Sequence, residues 1–386
     1  MNVVFLSPHF PPNWFRFVVG LRNAGATTLG IADQPWESLR PELRSALDEY
    51  YRVDDLGSHE QLTRALGWFI HRHGLVGRID SLNEHWLAVE ARLRTDFNIP
   101  GIDERRISAI KHKSFMKKRF VAAGIPVARG RVCRTPQSLR RWVAEIGYPV
   151  VAKPDVGVGA AGTFKFQNDA DVERFLANRP RADYIFEEYV TGQIVTYDGL
   201  AGRRGEILFD SSLVYAMGVM DAVNEGQEVC YWVARDVPED VRAVGRAMAS
   251  AFDVRERPFH FEMFRTEERG LVALEVNMRP AGGLSVDMVN YANDIDFYQE
   301  WANVVVRGRF EAPITRPYAC LYVSRRDGRP YALPHDELMG EYRDLVILEA
   351  RMDSMFSAAM GDHAYVLRGP DVEPLIAAAR HIQALR

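Results

Sequence analysis

Residues 260–283 read HFEMFRTEERGLVALEVNMRPAGG, and this stretch decides how the chain is understood. At period two, His260, Glu262 and Phe264 share one face of a strand, with Phe259, Phe261 and Met263 on the other. Along the following run Ala273, Glu275 and Asn277 share a face opposite Val272, Leu274 and Val276. Residues 267–270 read as a tight turn, so the two runs form a hairpin. A turn centred between Glu268 and Arg269 sets Glu262 opposite Glu275 and His260 opposite Asn277. A slip of one residue would expose the apolar faces, whereas a bulge could shift a partner without separating the acids. Two carboxylates directly opposed repel each other. A hard cation relieves that repulsion, and Mg²⁺ typically takes one or two carboxylates plus substrate phosphates. A solvated acidic face is the plainer reading; the apolar flanks and Arg279 at the strand end favour the metal.

Working outward, residues 149–164 read PVVAKPDVGVGAAGTF. A β-rich run delivers Lys153 into a loop with Gly157, Gly159 and Gly162. Glycines there let backbone N–H groups approach a polyphosphate closely. A mobile hairpin would need the same glycines, but a lysine inside an apolar strand is costly unless an anion or carboxylate meets it. No GK[ST] opens a following helix, so this is not a Walker loop. Residues 185–192, IFEEYVTG, form a strand that ends in acids and small residues and can present backbone groups to a flat base.

The chain has 386 residues, more than one compact core accommodates, so two or three domains are expected. A hydrophobic fraction of 47% and a charged fraction of 26% exclude disordered and collagen-like classes. With 48 basic and 52 acidic residues, nothing draws the chain globally to nucleic acid or anionic membrane. The start, MNVVFLSPHFPPNWF, lacks a basic n-region and is interrupted by prolines, unlike a signal peptide. The three cysteines have neither disulfide nor metal spacing. A cytoplasmic protein is expected.

The first hundred residues alternate strand and helix signals: strands at 2–7, 28–32, 51–53 and 78–82, helices at 15–23, 59–73 and 84–97. That rhythm predicts an open parallel sheet with helices on both faces. Its first turn, SPHFPPN, has no glycine, which rules out a GxGxxG dinucleotide site. From Glu104 one helical pattern carries Lys111, Lys113, Lys117 and Lys118 to Gly124. A second αβ unit spans 131–188, mainly β structure follows, and mixed αβ returns after Phe310. His9, Asn13, His85 and Trp86 are read as structural, and His363 as a loop residue.

Taken in order, these pieces resemble the ATP-grasp superfamily, closest to its carbamoyl-phosphate-synthetase-like and amino-acid-ligase branch. The likeness covers roughly residues 1–310, and SLNEHWLAVEARLRTDFNIPG is similar to the passage before the nucleotide domain in those enzymes. It implies an α/β chain with an α+β nucleotide domain. A preATP-grasp parallel-sheet domain would occupy 1–105, an ATP-grasp domain 106–310 with a mobile lid at about 130–186, and a small C-terminal αβ domain 311–386. It implies that Lys113 and Lys153 contact ATP phosphates under the lid glycines. The Glu187 carbonyl and the backbone of Glu188, Tyr189 and Val190 would recognise adenine. Glu262, Glu275 and Asn277 would hold Mg²⁺ (or Mn²⁺), and Arg279 with Lys153 would act on the transferring phosphate. Many relatives carry an acid where this chain has Ile194, which makes Asp198 the substitute for nucleotide contact.

The implied reaction is C–N bond formation. A small carboxylate, an amino acid by expectation, is activated as an acyl phosphate and passed to an amine-like acceptor, releasing ADP and phosphate. Such chemistry needs positioning and charge neutralisation more than a protein nucleophile. Substrate determinants are expected in 217–231, and a homodimer is an expected assembly. An ATP-dependent carboxylase, a purine-biosynthesis-type ligase and a non-catalytic nucleotide-binding regulator are the alternatives.

Overall fold

The computed structural model describes residues 1–157, 162–216 and 226–386. Four strands, β1 (Asn2–Leu6), β2 (Thr27–Ala32), β3 (Glu49–Arg52) and β4 (Val76–Asp80), form an all-parallel sheet in the order β3-β2-β1-β4. The expected αβ rhythm is there, with small boundary shifts. The strand expected at 78–82 starts and stops earlier, because the chain turns at Ser81, whose N–H donates to the Glu90 carboxylate at 2.6 Å. The helix expected at 84–97 begins as a 3₁₀ turn, Glu84–Trp86, before Leu87–Phe97. The helix His59–His73 starts where the Ser58 hydroxyl accepts from the Gln61 N–H and ends at Gly74.

The single helix expected from Glu104 is two, Glu104–Lys111 and Lys113–Ala122, with His112 extended between them. Asp155 causes the break. Its carboxylate accepts from the Ser114 N–H at 2.8 Å and the Ser114 hydroxyl at 2.9 Å, and its carbonyl accepts from the Lys113 N–H at 2.8 Å. A residue two positions beyond Lys153 thus caps the helix that starts at Lys113, satisfying amides a continuous helix would have bonded itself.

Strands β5 (Gly130–Val132), β6 (Val150–Pro154), β7 (Phe164–Phe166) and β8 (Tyr184–Glu188) form an antiparallel sheet in the order β5-β8-β6-β7. The helices Pro136–Ile146 and Asp169–Ala177 pack Leu139, Trp142, Val143, Val172 and Phe175 onto one face of it. The third sheet contains β9 (Gln193–Ala201), β10 (Ile207–Ser211), β11 (Leu213–Tyr215), β12 (Cys230–Val233), β13 (Pro258–Thr266), β14 (Gly270–Asn277), β15 (Ala319–Arg325), β16 (Val346–Arg351) and β17 (His363–Gly369). Its order is β14-β13-β9-β11-β12-β15-β17-β16, with β10 beside β9. The strands of the expected C-terminal unit therefore continue the central sheet instead of forming their own. His363, expected in a loop, opens β17.

Two contacts fix the parallel sheet against the rest. The helices Phe15–Ala24 and Phe297–Arg307 approach so closely that a Cβ at Gly20 would lie 2.8 Å from the Tyr298 carbonyl oxygen. Asp80 and Glu90 from the parallel-sheet layer are fully buried, and Arg94 and Arg257 bind both of them at 2.7–3.2 Å. Arg257 also donates to the Met278 carbonyl at 2.5 Å, immediately after β14. No helix among the described residues is long and apolar enough to cross a membrane.

Candidate active site

β13 and β14 pair antiparallel with His260 opposite Asn277 and Glu262 opposite Glu275. The register then shifts between Glu262 and Met263, so that Met263 faces Ala273 and Leu274 is the extra residue. The bulge lies on the turn side of the two acids and leaves them on one face.

The two lysines converge on that face. Lys113 Nζ lies 2.7 Å from Glu275 Oε1 and 3.2 Å from the Gly157 carbonyl oxygen, tying the start of the glycine loop to the hairpin. Lys153 Nζ lies 2.6 Å from Glu187 Oε2, while Lys117 Nζ binds Glu187 Oε1 at 2.8 Å. Burial alone would lower the Lys153 ammonium, but Glu187, with Glu275 and Glu262 beyond it, holds it above its ordinary value. Burial would likewise raise the Glu187 carboxyl, yet Lys153 and Lys117 pull it down to about 2. Lys153 is therefore a charged lysine facing the paired acids.

Behind Glu262 runs a buried chain. His260 Nε2 is 3.1 Å from Glu262 Oε1, and His260 Nδ1 is 2.5 Å from Asp198 Oδ1. Asp198 Oδ2 accepts from the Thr196 hydroxyl. Burial opposes a charged imidazole, but the flanking carboxylates outweigh it and raise His260 to about 9. Burial would raise Glu262; His260, Arg279 and Lys113 hold it below the usual carboxylate range. Asp198, expected at the nucleotide, faces His260 across the β9–β13 pair, with Oδ1 on the imidazole and Oδ2 on the Thr196 hydroxyl.

The Arg279 guanidinium donates to the Pro280 carbonyl at 2.7 Å and reaches Asn277 Oδ1 at 3.3 Å. Glu84, which the sequence reading left without a role, is buried in the same cleft. Lys111 Nζ lies 3.2 Å from its Oε1, while its Oε2 has no partner among the described residues. Burial raises its carboxyl despite Lys111 and Arg279. A signal existed in the sequence, since Glu84 lies within the SLNEHW passage.

At the end of β8 the Glu188 carboxylate binds Arg129 at 2.7 Å and Arg269 at 2.6 Å. The Glu188 N–H donates to the Arg129 carbonyl at 2.9 Å and the Tyr189 N–H to the Pro149 carbonyl at 3.1 Å. Two of the three amides expected at adenine are thus engaged within the fold. Gly157 and Gly162 border the loop whose Gly159 lies outside the described residues, as do residues 217–225 of the expected substrate loop. Tyr231, at the end of that loop, stacks between Tyr215 and Tyr322 at 5.0 and 4.8 Å and belongs to the core. Asn13 donates to Asp287 and Tyr298 at 3.1 Å, a packing role as expected.

A lysine-bearing antiparallel sheet hinged over a hairpin of paired acids, beside a parallel-sheet domain, is the ATP-grasp fold. In fold and in sequence likeness the chain falls with the ATP-grasp ligases. It is 25% identical over 268 residues to the L-arginine-specific L-amino acid ligase of Bacillus subtilis, covering 67% of this chain and 64% of that protein. The chain thus spans slightly less than two thirds of that relative's length. A carbamoyl phosphate synthase large chain from Mycobacterium sp. (strain JLS) is 32% identical over 103 residues, 26% of this chain and 9% of that one. The crystal structure of an L-amino acid ligase from Bacillus licheniformis superposes with a TM-score of 0.74 at 15% identity, covering 99% of this chain and 96% of that one. No family model matches the chain.

Proposed function

We propose that the chain is an ATP-dependent carboxylate–amine ligase acting on small molecules, with amino acids as its substrates. The observation that carries this reading is the cross-strand pair Glu262–Glu275, lying on the face toward which Lys113 and Lys153 converge. The residues fit Mg²⁺. Each acid spends its Oε1 on a cationic side chain, Glu262 on His260 and Glu275 on Lys113, which among the described residues leaves Oε2 of each for an oxygen-loving ion, beside Asn277 Oδ1, which accepts from Arg279 and has a second lone pair. Bound there, Mg²⁺ would neutralise phosphate charge. Mn²⁺, the expected alternative ion, accepts the same oxygen donors.

The chain's own residues do the rest. Lys153 and Lys113 hold the phosphates, Lys153 kept charged and oriented by Glu187. Arg279 neutralises the oxygens of the phosphoryl group as it moves to the carboxylate. The Val190 amide and the Glu187 carbonyl take the adenine edge, and the loop bordered by Gly157 and Gly162 excludes water from the acyl phosphate. The division into 1–105, 106–310 and 311–386 is part of this proposal, as is assembly as a homodimer.

The likeness to an L-amino acid ligase favours an amine acceptor over bicarbonate, the acceptor a carboxylase would use. Screening amino acids in pairs for ATP-dependent phosphate release, with mass spectrometry for the dipeptide, tests the reading. Amide product in step with phosphate is expected. Phosphate release that depends on bicarbonate and yields no amide would replace the ligase with a carboxylase.

A further inference from the structure

Far from the ATP site, at the edge of the central sheet, three side chains converge in a way the ligase reading does not use. The β16–β17 register sets Glu349 opposite Tyr365 and Arg351 opposite His363. Glu349, Tyr365 and His363 therefore share one face, His363 being the diagonal neighbour of Glu349. His335, first residue of the helix His335–Glu341, stacks its ring on His363 at 5.0 Å and 29°. His363 Nε2 lies 2.8 Å from Glu349 Oε1 and His335 Nε2 3.6 Å from the same oxygen. The three potential ligand atoms lie within 4.8 Å of one another, the one such His/Cys/Asp/Glu group of three or more among the described residues.

The other side of each ring is equally specific. The Tyr365 hydroxyl is 2.9 Å from His335 Nδ1 and 3.2 Å from His363 Nδ1. One hydroxyl oxygen can accept from both Nδ1–H groups. Both imidazoles then turn an Nε2 lone pair toward the Glu349 carboxylate, giving three electron-pair donors with no proton between them. A ligating histidine almost always has its other ring nitrogen fixed by an outer hydrogen-bond partner, and the Tyr365 hydroxyl stands in that place for both rings.

We propose that His335, Glu349 and His363 bind a divalent transition-metal ion, Zn²⁺ by the chemistry of the donors. Two imidazoles and one carboxylate suit zinc and not Mg²⁺, which prefers an all-oxygen shell. Zn–N bonds of about 2.0–2.1 Å set tetrahedral donors about 3.4 Å apart, so His363 Nε2 and Glu349 Oε1 separate from 2.8 Å while His335 Nε2 closes from 3.6 Å. The His335 ring, at a helix end, supplies that movement. The neighbouring Arg351 is held by Asp327 at 2.8 Å, which compensates its charge. A bound ion would clamp the helix to β16, the last strand of the sheet.

The test uses the full chain, stripped with EDTA and titrated with Zn²⁺ against a chromophoric chelator, with Co²⁺ absorption as the report on geometry. About one ion per chain with tetrahedral Co²⁺ bands is expected. His363→Ala should weaken binding at least about 100-fold and Tyr365→Phe about 10–100-fold. Glu275→Gln should leave Zn²⁺ binding unchanged, which separates this site from the ATP site. His335→Ala, at a surface helix end and checked by circular dichroism, keeps the test decisive if His363→Ala does not fold. Absence of Zn²⁺ binding at micromolar concentration, affinity kept within about threefold in a folded His335→Ala chain, or loss of binding in Glu275→Gln would overturn the proposal.

Discussion

Glu187→Gln should loosen the four-stranded sheet before it affects anything else. In the wild type one buried carboxylate serves two ammonium groups, Lys153 at 2.6 Å and Lys117 at 2.8 Å. Its carboxyl is held at about 2 against an ordinary 4.5, which corresponds to about 3 kcal/mol in favour of the charged, folded form. Because the folded value lies below the unfolded one, that stability is fully present above pH 4.5 and is lost as pH falls toward 2. The glutamine variant lacks it at pH 7 and leaves two buried cations together, a loss of roughly 3–5 kcal/mol. Lys117, whose ammonium burial already lowers, can relieve part of this by releasing its proton, so about 3 kcal/mol is expected. Hydrogen exchange of peptides covering Val150–Pro154 and Tyr184–Glu188 reads the change as roughly 100-fold faster opening at pH 7. The gap between variant and wild type should narrow as the pH is lowered from 4.5 toward 2. Exchange within about threefold of wild type at pH 7 would refute the claim that Glu187 is the counter-ion holding Lys153 in place.

Lys153→Met keeps the apolar stem and removes the charge, so ATP turnover should fall by two or more orders of magnitude while circular dichroism is unchanged; near-normal turnover would remove Lys153 from the site. Arg257→Met breaks contacts to Asp80, Glu90 and the Met278 carbonyl, so urea unfolding at pH 7 should show a loss of about 3 kcal/mol. A loss below about 1 kcal/mol would mean that Arg94 and Arg78 suffice to neutralise the two acids.

The parts of this molecule that alternate strictly were legible in the sequence. The pairing of Glu262 with Glu275 was legible from period two, but the turn centres on Glu268, not on the Glu268–Arg269 bond, and the bulge at Leu274 restores the register at the acids. The helix His59–His73 was legible as a helical stretch running to Gly74. What escaped was set by partners distant in sequence. The helix break at His112 depends on Asp155, 43 residues away, and no local propensity signals it. The pairing of Glu187 with Lys153 and Lys117, and of Asp198 with His260, arises only when four strands and a helix come together. The αβ rhythm of the C-terminal strands does not say where they pair, and β15 joins β12, so they extend the sheet that holds the hairpin.

Glu275→Gln tests the central claim most directly. The substitution keeps the size of the side chain and an oxygen for Lys113, but removes the charge that pairs with Glu262 across the strands to hold Mg²⁺. The measurement is phosphate release with a productive amino-acid pair as a function of Mg²⁺ concentration, alongside nucleotide binding by calorimetry. The account predicts a loss of turnover of about 100-fold or more and a raised Mg²⁺ requirement, with nucleotide affinity changed less than about tenfold. Turnover and Mg²⁺ dependence equal to the wild type would contradict the metal site, and the ligase reading with it.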